Sequence, residues 1–109
     1  MANTFKNKTF DGSSTIANSD MIPYTAPSST TTVVIGLTIA NTSNNQITVD
    51  IKLDASTNIF LAKSLPIPAG SAFEYMSGNK IIMQAGHSIK IQSDTANSAD
   101  TCMSIMEIT

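Results

Sequence analysis

Eight carboxylates, six lysines, one histidine and one cysteine are the residues of this 109-residue chain best suited to chemistry. The carboxylates are Asp11, Asp20, Asp50, Asp54, Glu74, Asp94, Asp100 and Glu107. A glycosidase needs two of them facing each other across a cleft. Asp50 and Asp54 instead share a strand face with Lys52, the pattern of a solvated sheet surface. Asp94 and Asp100 flank "DTANSAD", whose Ser and Asn oxygens could suit calcium. The spacing is not that of an EF-hand loop, so the stretch reads as a polar connector. His87 is the only histidine and sits in "QAGHS", a turn; one imidazole does not make a metal site. The serines lack the context of a nucleophile elbow, and the five glycines stand singly, so no phosphate-cradling loop is written. The expectation is an inert chain: no catalytic, cofactor-binding or metal-ligating residues.

Composition narrows the partners. There is no arginine, and the formal net charge is −2. Nucleic-acid binding would call for a basic patch and bidentate phosphate contacts. No tryptophan is present, and Tyr24 and Tyr75 are the only tyrosines, so no stacking platform for bases or sugars is visible. No apolar run reaches membrane-spanning length, and the opening "MANTFKNKTFDGSS" has no signal-peptide character. Synthesis in a cytoplasm is the expectation. Cys102 cannot form a disulfide within the chain and is expected to be a small buried hydrophobe.

The elements that would hold these residues are short strands. Only 13% of residues are charged, and the polar surface is largely Ser, Thr and Asn, which suit strands and turns. In "QITVDIKLD" the residues Ile47, Val49, Ile51 and Leu53 alternate with polar neighbours. Before it, Val33, Ile35, Leu37 and Ile39 share a parity, and "NTSNN" between the two runs has hairpin length. Phe73, Ile89 and Ile91 complete the expected core. "PAG" at residues 68–70 and Gly86 mark turns. Eight or nine strands with turn signals every eight to twelve residues predict an all-β antiparallel sandwich, jelly-roll or Ig-like. Residues 21–109 form this one domain. Residues 1–20 are polar and read as an arm or an edge strand.

Some apolar residues exceed what one core needs. Val34 and Gly36 lie on the second face of their strand, and a glycine inside a strand marks a bulge or a close approach. The last strand is apolar on both sides, with Met103 and Ile105 against Met106 and Ile108. Met76 and Met106 could supply adaptable contacts. Phe5 and Phe10 in the polar opening could each fill a pocket on a partner. The candidate interface is therefore Phe5, Phe10, Val34, Gly36, Met76, Met103 and Met106.

The strings "YTAPSSTTTVVIGLTIAN", "ITVDIKL", "LPIPAGSAFEY", "GNKIIMQAGHSIKIQS" and "SIMEI", in this order, extend from residue 21 to the end. Together they resemble small virion structural proteins of tailed bacteriophages of the marine and cyanobacterial type. His87 departs from the acidic residue expected in many of those relatives. The resemblance implies a non-enzymatic β-sandwich on the phage particle. It further implies a capsid decoration (cement) protein, a homo-oligomer, most simply a trimer, bound to the major capsid protein. Its partners would include neither nucleic acid nor membrane, and no cofactor is implied. A tail or neck component, or a carbohydrate-binding adhesion module, is the alternative.

Overall fold

A computed structural model describes residues 3–12, 15–75 and 80–109. It contains nine strands: β1 (Asn3–Phe10), β2 (Met21–Thr25), β3 (Thr31–Asn41), β4 (Ile47–Ala55), β5 (Thr57–Ile67), β6 (Ala72–Glu74), β7 (Ile81–Met83), β8 (Ser88–Ser93) and β9 (Ala99–Ile108). All pairings are antiparallel. Sheet I runs β1-β9-β3-β6, with β7 also on β3, and sheet II runs β2-β8-β4-β5. Because β6 and β7 share one lane, nine strands fill eight lanes. Among the described residues the chain changes sheet at every connection except β4–β5 and β6–β7. This wrapped, double-sheet order is that of a jelly roll, so the expected β-sandwich is the observed one.

The core lies between the sheets. Ile47, Val49 and Ile51 of β4, Ile89 and Ile91 of β8, and Leu37 and Ile39 of β3 are fully buried. Met83, Met103 and Ile105 join them, and Leu53 and Phe73 pack half-buried at the margin. Each such aliphatic contributes roughly 1.5–3 kcal/mol by leaving water.

The hairpin expected across residues 38–53 is not one. β3 belongs to sheet I and β4 to sheet II, so the two face each other through the core. Asn41 shapes the crossing. Its side-chain amide donates to the carbonyls of Asn45 (2.8 Å) and Ile67 (2.9 Å), and its Oδ1 accepts from the backbone N–H of Ser43 (2.9 Å). The hairpin of sheet II is β4–β5, closed by Ser56 at φ 77°.

β3 also breaks the expected parity. A β-bulge falls between Val34 and Gly36. Before it, Thr32 and Val34 point inward; after it, Leu37 and Ile39 do. Val33 and Ile35, expected in the core, therefore face out, with Ile35 38% exposed. On the side of β3 toward β6, the Leu37 N–H donates to Glu74 Oε2 at 3.1 Å, and the Leu37 carbonyl accepts from the Tyr75 N–H at 2.8 Å. Val34 and Met103, expected at an interface, are core residues at 1% and 0% exposure. Cys102, expected in the core, is exposed, because β9 turns Thr101, Met103, Ile105 and Glu107 inward instead.

Residues 3–10 form an edge strand of the fold, paired with β9 along its whole length. The exit from β1 is fastened. Gly12 donates its N–H to Asp100 Oδ1 (2.8 Å), and a Cβ there would come within 1.7 Å of the Ala99 carbonyl oxygen. Only glycine fits so close to another backbone.

Candidate interaction faces

With the inner faces occupied by the core, the outer faces carry what the protein offers to others. On sheet I, Phe5 of β1 opposes Met106 of β9, Met106 opposes Val33 of β3, and Val33 opposes Ile82 of β7. These four apolar side chains form a ladder straight across the sheet, since opposed residues in a sheet point the same way. Phe5 is 72% exposed and Ile82 50%. The next outward row holds Asn7, Ser104 and Gly36, with Ile35 beside it at the bulge. Beyond that row, Thr9, Cys102 and Thr38 line up. They border a cavity of about 340 Å³ together with Phe10, Ala40 and Asp100.

Sequence reasoning found Phe5, Gly36 and Met106 on this face. It placed Phe10 in a partner's pocket, but Phe10 is half-buried and packs against its own core. Met76 lies outside the described residues. It missed Val33, Ile35 and Ile82. The first two were hidden by the bulge, which leaves no mark in alternation. Ile82 lies in the run "KIIM", too short to show parity.

The outer face of sheet II is charged. Lys52 reaches Asp20 at 3.2 Å, Lys90 reaches Asp54 at 3.1 Å, and Lys63 lies 3.9 Å from Asp50. Phe60 sits among them, with the Lys63 ammonium 4.7 Å from its ring centroid. Burial pushes the Asp20 carboxyl up, but hydrogen bonds from Gln92 and Lys52 and the charges of Lys52 and Lys90 outweigh it and hold it below its ordinary value.

One buried polar cluster ties the elements together inside. Glu107 accepts from Tyr24 Oη at 2.5 Å and pairs with Lys6 Nζ at 2.8 Å. Tyr24 Oη lies 2.9 Å from the Thr32 hydroxyl, which donates to it because the phenol proton goes to Glu107. Hydrogen bonds from Lys6 and Tyr24 hold the Glu107 carboxyl below its ordinary range. Burial and the Glu107 carboxylate push Tyr24 up to about 12. Lys6 points from an edge strand toward the sandwich interior, a placement that discourages a foreign strand from extending the sheet.

The carboxylates of the suspected calcium loop serve separate donors. Asp94 takes the backbone N–H (3.1 Å) and hydroxyl (3.0 Å) of Thr48, while Asp100 takes Gly12. His87 Nδ1 accepts from the Gln84 N–H at 3.2 Å and closes its turn. No helix among the described residues is long and apolar enough to cross a membrane.

No protein-family model and no curated protein sequence matches the chain. Solved structures do. The pilus protein of Bacillus endospore appendages, a family of disulfide-linked pili, superposes with a TM-score of 0.53 at 15% identity. That match covers 96% of this chain and 85% of the other. A chain of the T13 viral particle of infectious bursal disease virus superposes with a TM-score of 0.57 at 10% identity. It matches 96% of this chain, which spans 30% of the viral one. At these identities the likeness is one of fold.

Proposed function

We propose that this chain is a non-enzymatic structural subunit of a virus particle that meets its protein neighbours through the outer face of sheet I. On the particle it acts as a decoration protein, seated on the major capsid protein of a tailed-phage head and bracing the shell. Virion localisation, after synthesis in a host cytoplasm, goes with this reading. The observation that carries it is a jelly roll whose one outer face bears the apolar ladder from Phe5 to Ile82 while the other is charged. A chain with nothing to dock against gains nothing from such a ladder, and contiguous exposed apolar surface marks interaction sites. The sequence resemblance to phage virion proteins and the fold likeness to a viral particle chain support the same reading.

The test is the molar ratio of this protein to the major capsid protein in purified virions. On the order of hundreds of copies per particle supports shell decoration. About six or twelve would move it to a symmetric neck or tail ring. Absence from virions would defeat the reading.

A second reading has its own observation. The likeness to the pilus protein spans most of both chains, as a subunit repeated along an appendage would. Filaments assembled from the purified protein and seen by electron microscopy would favour it.

A further inference from the structure

The outer face of sheet I carries a ridge and a hollow at matching distances from one row. The ridge is the ladder through Phe5 and Met106; the hollow is the cavity bordered by Thr9 and Cys102. Residues 5 and 9 of β1 stand two positions either side of Asn7, and residues 106 and 102 of β9 stand two either side of Ser104. We infer that this face binds a second copy of the chain, about a two-fold axis running along the row Asn7–Ser104–Gly36. This deepens the structural reading above by naming the neighbour on that face, and a dimer takes the place of the trimer that the resemblance implies.

Such an axis turns one copy over and reverses its strands, so each ridge lies above the other copy's hollow. Phe5 enters the cavity bordered by its partner's Thr9 and Cys102. An apolar cavity of ~150 Å³ accepts a benzene ring, so about 340 Å³ has room for Phe5. Ala40 and the threonine methyls give the ring apolar surface, and Asp11 and Asp100 belong to the same lining.

Among the described residues the ridge carries no ionised side chain, and carboxylates beside the face are engaged within the chain: Glu74, next to Gly36, accepts from the Leu37 N–H (3.1 Å), and Asp100, at the hollow, accepts from the Gly12 N–H (2.8 Å). The glycine at the row fits as well. Gly36 does not have positive φ, and a Cβ there would find its nearest neighbour, the Glu74 carboxylate, at an ordinary 3.6 Å. Its own chain tolerates alanine, whereas a second backbone crossing the row leaves little space.

Area sets the strength. Four lanes about 4.8 Å apart and some eight residues about 3.3 Å apart give roughly 500 Å² per copy. That is below the standard size of about 800 Å² per partner and fits a weak, reversible dimer.

The experiment is sedimentation of the purified full-length chain over a concentration series through the micromolar range. A monomer–dimer equilibrium is expected. Phe5→Ser should weaken it at least about ten-fold, and Ala40→Leu, which fills the hollow, should do the same. Both side chains face outward, so both variants should unfold at the wild-type denaturant midpoint, which separates lost binding from lost folding. A Met106→Cys variant reports the axis: its new thiol faces the partner's Cys102, and mild oxidation should give a covalent dimer that Cys102→Ser abolishes. A monomer at every concentration, a trimer, or a dimer indifferent to Phe5→Ser and Ala40→Leu would overturn the inference. A monomer that is still abundant in virions would overturn it while leaving the decoration reading intact, since the face would then belong to the shell.

Discussion

The two outer faces of this sandwich are built from the same kind of strand and do opposite things. On sheet II, three of the six lysines interleave with Asp20, Asp50 and Asp54, and the ion pairs close on themselves. On sheet I, the corresponding middle ground is Phe5, Met106, Val33 and Ile82, with small polar residues beside them. A face of alternating charge is content in water; an uncharged apolar one gains from being covered. Charge separates the two faces where no motif does, and the proposed docking face is the one on which, among the described residues, the ion pairs of sheet II have no counterpart. The inner faces, which resemble each other, tell nothing about which side is which.

The largest expected effect tests the premise that the inner faces hold the fold. Ile51 of β4 is fully buried, so Ile51→Ala should cost about 2–5 kcal/mol in denaturant unfolding. A loss within measurement error would mean that the partition into inner and outer faces is wrong. Next comes Gly12→Ala. The new methyl would overlap the Ala99 carbonyl and push the exit of β1 off β9, at a cost of about 1–3 kcal/mol. Because β1 carries Phe5, the same change should loosen the sheet I face and leave the sheet II ion pairs alone. Amide exchange that rises in β1 and β9 but not in β4 and β8 would show this.

The Glu107 cluster sharpens the comparison through pH. Its folded pKa lies below the ordinary 4.5. The stability it contributes is therefore fully present above that value and is lost as pH falls through the lower, folded value. Tyr24 works at the other end. With its pKa raised from 10.0 to about 12, its contribution is full below 10 and disappears as pH rises toward 12. Glu107→Gln should cost about 1–2 kcal/mol at neutral pH and flatten the acid limb of the stability curve, and Tyr24→Phe should flatten the alkaline limb. Acid unfolding unchanged by Glu107→Gln would remove the cluster from the account of what holds β1.

The smallest effects separate the faces directly. Lys90→Ala on sheet II should cost about 1 kcal/mol, less at high salt, as its half-buried ammonium faces Asp54 and Asp20 at the surface. Phe5→Ser on sheet I should change the stability of the single chain by less than about 0.5 kcal/mol, because the ring is mostly in water already. A salt-sensitive Phe5 effect, or a salt-blind Lys90 effect, would reverse the roles assigned to the two faces.

By itself the sequence determined the class of fold and much of its interior. The alternation of β4 and of Ile89 with Ile91 reports which side of a strand is buried, and those residues are indeed buried. The turn at Gly70, with φ 69°, and that at Gly86, with φ 86°, were legible because few residues other than glycine adopt such angles readily. Part of the apolar outer face of sheet I was legible too, since Phe5 stands out in a polar stretch and Met106 in a strand that is apolar on both sides. What lies alongside what was decided only by the tertiary structure. Alternation says nothing about a strand's neighbour, so β3 and β4 read as a hairpin although they sit in opposite sheets. Gly36 inside the strand signalled a bulge or a close approach, and a bulge falls there; its effect on parity, which turned Val33 and Ile35 outward and Val34 inward, was not legible in the alternation. On β9, Cys102 was read as core and Glu107 was assigned no place there. Glu107 is accommodated inside because Tyr24 and Lys6 arrive from β2 and β1 to satisfy it. Gly12 likewise had no visible task until Ala99, eighty-seven residues later, came within reach of its backbone. Strand periodicity is a local property of the chain, whereas pairing, bulges and the satisfaction of a buried charge depend on groups that only folding brings together.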